Sequence, residues 1–154
     1  MSPKQTSVLE DAANCFREAI ARNPADYKNY EKLAVVYDRL GRPRDAYDWY
    51  LKAARFYPGC DRLWFEMGRL AEALRQPEAA LDHYTKAVEI EDAYRRQFQM
   101  MYPDRKRVVS RLGESQYDLA QERIARLRRL DSKPGELRRR LRNEFRRDIE
   151  VRIG

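Results

Sequence analysis

The chain has 154 residues, 37% of them charged, and a formal net charge of +7 at pH 7. That length fits one domain, and the absence of period-two hydrophobic alternation argues against a sheet. No apolar run approaches the roughly 20 residues needed to cross a bilayer, and the start Met1-Ser2-Pro3-Lys4 has no signal-peptide character, so the expected compartment is cytoplasmic.

In chain order, residues 4–22 read as a helix, with Leu9, Ala12, Ala13, Phe16, Ala19 and Ile20 on one face. Asn23-Pro24 ends it, because proline disfavours helical backbone in the residue before it. A helix is expected over 27–40, then the turn Gly41-Arg42-Pro43, then a helix over 43–57 closed by Pro58-Gly59. Glycine past a helix end and proline opening the next helix are the expected punctuation. Asp61 is expected to cap a helix over 61–74, and after Arg75-Gln76-Pro77 another helix runs on. No Gly or Pro interrupts it before Pro103, so it is either one long helix to about 102 or kinked near 91. A short helix is expected over 104–112, closed by Gly113, and an amphipathic one over 114–130 with the stripe Tyr117, Ala120, Ile124 and Leu127. Lys133-Pro134-Gly135 precedes a last helix over 135–151, which carries Leu137, Leu141, Phe145 and Ile149 at i, i+4 spacing amid arginines.

Within this series one unit is copied. Tyr30, Leu33, Ala34, Tyr37, Ala46, Tyr50 and Ala53 recur 34 positions later as Trp64, Met67, Gly68, Ala71, Ala80, Tyr84 and Ala87. A fixed period of helix–turn–helix units signifies a helical solenoid. The small residues let paired helices approach closely and the large ones fill the space beside them. The pattern resembles the tetratricopeptide repeat (TPR) and departs from it at Ala71, where Tyr is usual, and at Asp92, where Pro is usual. The resemblance implies an all-α, right-handed TPR-like superhelix over residues 1–130. It would consist of one helix B at 4–22, repeats at 27–60 and 61–94, a degenerate third repeat at 95–113, a capping helix at 114–130 and a basic amphipathic helix in 131–154. In the third repeat Phe98 and Met101 take the aromatic and Leu positions. The first helix matches a helix B without its helix A, so the chain reads either as cut from a longer protein or as a solenoid capped by a lone helix.

No catalytic constellation is legible, and the chain is read as a non-enzyme without cofactor or metal. Cys15, on a helix, and Cys60, in a turn, lack metal-ligand spacing. His83 is the single histidine. The resemblance implies protein–protein interaction, with a partner peptide or helix in the concave groove lined by A helices. At the family's ligand-facing offsets stand Lys28, Glu31, Lys32, Val35 and Arg39, then Arg62, Phe65, Glu66, Arg69 and Glu72. Phe65 reads either as an aromatic anchor for a ligand side chain or as packing against the neighbouring repeat. Glu31, Val35 and Glu66 occupy places where a carboxylate clamp for chaperone tails needs Lys or Asn, so such a tail is not the expected ligand.

From Gln121 onward there are twelve Lys plus Arg against six Asp plus Glu, a net of +6. Arg138, Arg139, Arg142 and Arg146 form a basic patch that offers an alternative function, electrostatic binding of nucleic acid or an anionic surface. The bland alternative is a solvated helix whose apolar stripe docks on the solenoid or on a second copy of the chain. A weaker similarity, through Glu89–Tyr94, Met101–Pro103 and Arg111–Glu114, is to the soluble TPR tails of bacterial O-antigen ligase and polymerase proteins. It implies an accessory domain of an envelope enzyme, periplasmic or membrane-associated.

Overall fold

The computed structural model describes residues 1–108, 112–131 and 143. Six α-helices follow one another: α1 (Pro3–Arg22), α2 (Tyr27–Arg39), α3 (Pro43–Phe56), α4 (Asp61–Ala73), α5 (Pro77–Met101) and α6 (Glu114–Asp131). Each packs on its neighbours in sequence, α1 on α2, α2 on α3, α3 on α4, α4 on α5 and α5 on α6. This is the one-dimensional stacking of a solenoid, in which each unit buries its apolar face on the next. The fold is an all-α TPR solenoid.

The repeat is visible in its polar details. Tyr30 Oη donates to the Pro24 carbonyl at 2.7 Å, and 34 residues later Trp64 Nε1 donates to the Pro58 carbonyl at 2.8 Å. The first aromatic of each repeat thus satisfies the carbonyl of the proline that ended the unit before it. The two turns inside the repeats also match. Arg42 N–H donates to the Tyr37 carbonyl at 2.9 Å, and Gln76 N–H to the Ala71 carbonyl at 2.8 Å, a bond pattern that closes helix C-termini. The residue before each donor is left-handed, Gly41 at φ 73° and Arg75 at φ 59°. Glycine adopts that conformation freely, whereas arginine holds it against a steric preference.

Side-chain caps stand at the starts of α1 and α2. Ser2 and Gln5 form a reciprocal capping box on α1, and Asp26 accepts from Lys28 N–H at 3.3 Å at the start of α2. Asp61 does not cap α4 in the expected way. It is the first helical residue after Cys60, and its buried carboxylate accepts from Arg62 N–H at 2.8 Å. Its charge still lies at the positive end of the helix dipole.

Two cores divide the molecule. One joins α1 to α4 around Leu33, Ala34, Tyr37, Ala46, Tyr50, Leu63 and Met67. The other gathers Phe65, Ala71, Ala80, Tyr84 and Ala87 with Leu112 and, from α6, Ala120, Ile124 and Leu127. The spacing of Tyr117, Ala120, Ile124 and Leu127 on α6 repeats that of Tyr30, Leu33 and Tyr37 on α2 with its C-cap Leu40, and of Trp64, Met67 and Ala71 on α4 with its C-cap Leu74. An A-helix stripe therefore stands on α6.

The stretch expected to start a third repeat differs. α5 is one unbroken helix to Met101, the first of the two forms expected, and of the two expected core positions Phe98 is half-buried and Met101 exposed. Phe98 instead packs its ring between Tyr94 and Tyr102, with centroids 6.4 and 5.1 Å away. The helix expected over 104–112 is not formed in residues 104–108. That segment, Asp104-Arg105-Lys106-Arg107-Val108, has too few apolar residues to make a face. The last helix expected over 135–151 lies outside the described residues.

Candidate functional site

A groove of about 850 Å³ opens between α1, α2 and the start of α4. Its wall is one face of α2, carrying Lys28, Glu31, Lys32, Val35 and Arg39, and Arg62 of α4 stands across from it. The five α2 positions follow i, i+3, i+4, i+7 and i+11 spacing, which places them on one face. The N-terminus of α2 is fixed by Asp26 and its inner face by the buried Leu33, Ala34 and Tyr37, so the row projects from a packed helix rather than from a loop.

The groove has an apolar floor that reading A-helix offsets alone missed. Phe16 of α1, Tyr27, Val36, Tyr57, Cys60 and Leu63 complete its lining. Tyr27 and Tyr57 stack at 5.6 Å with an interplanar angle of 28°, joining the start of α2 to the end of α3. The available signal was Phe16 at the aromatic position of a helix B, with Tyr27 at the head of one A helix and Cys60 immediately before the next.

Charge is distributed unevenly around this floor. Arg62 Nη2 binds Glu31 Oε1 at 2.7 Å. Among the described residues, Lys28, Lys32 and Arg39 are exposed and enter no ion pair. Just beyond Arg39, Arg69 bridges Glu66 at 2.8 Å and also pairs with Asp38, which neutralises that end.

Four of the residues expected in the groove lie elsewhere. Phe65 is buried, 3% exposed, with its ring edge-on to Tyr84 at 5.7 Å and 60°. It packs in the core that α6 closes with its own apolar stripe, as the packing alternative expects. Glu66 and Arg69 pair with each other and with Asp38 across the repeat boundary. Glu72 accepts from Arg123 Nη1 at 3.1 Å and Arg126 Nη2 at 3.0 Å, both from α6. The groove is thus lined by α1, the first repeat and the start of α4. Arg138, Arg139, Arg142 and Arg146 lie outside the described residues.

The remaining titratable features are structural. Cys60 is buried and Cys15 exposed, and both are free thiols. Among the described residues no cluster of three His, Cys, Asp or Glu side chains could hold a metal, and no helix is long and apolar enough to cross a membrane. His83 Nε2 lies 2.8 Å from the Tyr47 hydroxyl and its ring leans on Trp64 at 5.6 Å, tying the two repeats together.

Burial lowers the His83 pKa below its ordinary value of 6.5, with Lys86 adding to the effect and Asp82 opposing it. A histidine held neutral in the fold contributes stability that is present above pH 6.5 and lost as pH falls through its lowered pKa. The urea midpoint is expected to fall between pH 7.5 and 5.5, and the fall to shrink in His83→Gln. An equal fall in the variant would assign the effect to other groups.

Comparison with known proteins places this geometry. Residues 61–94 match the tetratricopeptide-repeat family model. Tetratricopeptide repeat protein 7A of Homo sapiens is 30% identical over 83 residues, which is 54% of this chain and 10% of that relative. The chain carries a tetratricopeptide-repeat domain, and its match spans about a tenth of the length of that relative.

Among solved structures, PcrH in complex with the chaperone binding region of PopD superposes with a TM-score of 0.63 at 15% identity, over 83% of this chain and 84% of that one. MamA gives 0.55 at 17% identity, over 88% and 77%. The TPR2B domain of yeast Sti1, in a complex with pHsp70, gives 0.55 at 19%, over 77% and 86%. These likenesses establish the fold. The similarity to O-antigen ligase tails finds no support in these relatives.

Proposed function

We infer that this domain is a protein-interaction module, not an enzyme, and that it receives a partner peptide or helix in the groove of the first repeat. The observation that carries this reading is the convergence of six expected groove residues around one open groove with a half-buried apolar floor. A recognition groove needs apolar surface to bury and polar groups at its rim to fix register, and both are present. The structures of PcrH with a region of PopD and of Sti1 TPR2B with pHsp70 support the reading by analogy of fold. Binding through Arg138, Arg139, Arg142 and Arg146, which lie outside the described residues, is the competing reading.

Site-specific photocrosslinking tests the choice of face. A benzoylphenylalanine replacing Lys32, at the groove, is expected to capture a discrete partner from native lysate. The same group replacing Asp48, exposed on α3, is expected to capture none. Capture from position 48 alone, or only nucleic acid-dependent capture, would transfer the function to another surface.

A further inference from the structure

We propose that the groove selects an acidic, extended peptide segment that carries a bulky apolar side chain near its middle. The inference rests on the groove being the interaction site and names the chemistry of its occupant.

The first ground is charge. Lys28, Lys32, Arg39 and Arg62 stand around the groove against a single carboxylate, Glu31. Arg62 neutralises Glu31, which leaves Lys28, Lys32 and Arg39 as unopposed cations along one face of α2. Neighbouring positive charge is not free in the same way, because Arg69 is held by Glu66 and Asp38. A cleft lined by one sign of charge concentrates ligands of the other. The chain's own end is unsuited to it. Residues 132–154 contain eight Lys plus Arg against four Asp plus Glu, so that segment is repelled by the groove.

The second ground is length. Arg39 lies eleven positions beyond Lys28 on α2, a rise of about 16 Å. An extended chain advances about 3.3–3.6 Å per residue, so about five residues reach from one end of the row to the other.

The third ground is the floor. Val35 lies between Lys32 and Arg39 in the row, and Phe16, Tyr27 and Tyr57 are only half-buried beside it. An apolar side chain seated there removes apolar area from water on both partners, while acidic residues on either side reach the two lysines and Arg39. The sequence pattern sought is therefore acidic–apolar–acidic over five to seven residues.

The test is a fluorescence-anisotropy titration of the full chain with labelled synthetic heptapeptides. The reference peptide is Asp-Glu-Asp-Leu-Glu-Asp-Glu, capped at both ends. Its companions replace every acid with Lys, or the central Leu with Ser. The reference is expected to bind at least tenfold more tightly than either companion and to weaken several-fold between 50 and 200 mM salt. The triple variant Lys28→Glu/Lys32→Glu/Arg39→Glu is expected to lose the reference peptide by at least tenfold and to prefer the lysine peptide. Arg55→Glu, exposed outside the groove, is expected to change nothing beyond twofold.

Equal binding of acidic and lysine peptides, or an unchanged affinity in the triple variant, would overturn the proposal. So would a triple variant that loses a single-stranded oligonucleotide or phosphatidylserine vesicles while the wild type ignores the peptide. Circular dichroism of the triple variant guards against misfolding, and Val35→Glu gives a second, single-site reading with the same expected loss. If photocrosslinking at position 32 succeeds and the acidic peptide fails, the groove stands and its proposed selectivity falls. If both fail, the groove itself is wrong.

Discussion

Phe65→Ala is expected to destabilise the domain by about 3–5 kcal/mol, the range for emptying a buried phenylalanine site. The ring is 3% exposed and sits edge-on to Tyr84 in the core that α6 closes. Its removal leaves a cavity bounded by helices that are fixed by Gly68 against Tyr84 and by Glu72 against Arg123 and Arg126. Those contacts restrain collapse into the space, so the upper part of the range applies. Urea unfolding followed by circular dichroism measures the cost. The same variant, kept below its transition, is expected to retain capture at position 32. A cost under about 1 kcal/mol joined to lost capture would instead make Phe65 the ligand anchor.

The second large effect is expected at Gly68. A Cβ there would lie 2.8, 2.9 and 3.0 Å from Cδ1, Cε1 and Cγ of Tyr84. Real Cβ atoms do not approach a ring so closely, and this ring has nowhere to go. It is 2% exposed, flanked by Phe65, and its hydroxyl donates to Glu72 Oε2 at 3.4 Å. Gly68→Val gains about 0.4 kcal/mol of helix propensity and meets an overpacking cost of about 1–3 kcal/mol or more, so the net sign is destabilising. A double-mutant cycle with Tyr84→Leu isolates the contact. The two changes together are expected to cost less than the sum of each alone by about 1 kcal/mol or more. Strict additivity would show that the helix pair opens elsewhere.

Much of this architecture was legible because the repeat writes each constraint twice. Pairs such as Tyr30 with Trp64 and Ala46 with Ala80 fix the register of two helix pairs, and the observed helix ends fall within one residue of those expected. The third unit was harder to read. Periodicity extended at 34 residues points to Phe98, but α5 continues as a helix because nothing between Pro77 and Pro103 stops it. The A-helix stripe reappears only at Tyr117, after an interval that a fixed period cannot anticipate.

The same displacement explains the site. Offsets on a single helix gave Lys28, Glu31, Lys32, Val35 and Arg39, which share a row on α2 and line one groove. They could not reveal that α6 returns over α4, burying Phe65 and engaging Glu72. Nor could they reveal the floor, since Phe16, Tyr57 and Leu63 come from three different segments and meet only in the fold. Burial by a distant helix is a tertiary fact, and the identity of Phe65 fits either a core or a ligand anchor.

The central claim is that the partner occupies the first repeat's groove and leaves the second, closed by α6, untouched. Hydrogen–deuterium exchange of the chain with and without the partner captured from position 32 tests it most directly. Added protection is expected in α2 and in residues 57–63, with α6 and the outer face of α3 unchanged. Protection centred on α6, or on the arginine-rich end, with none in α2 would contradict the account.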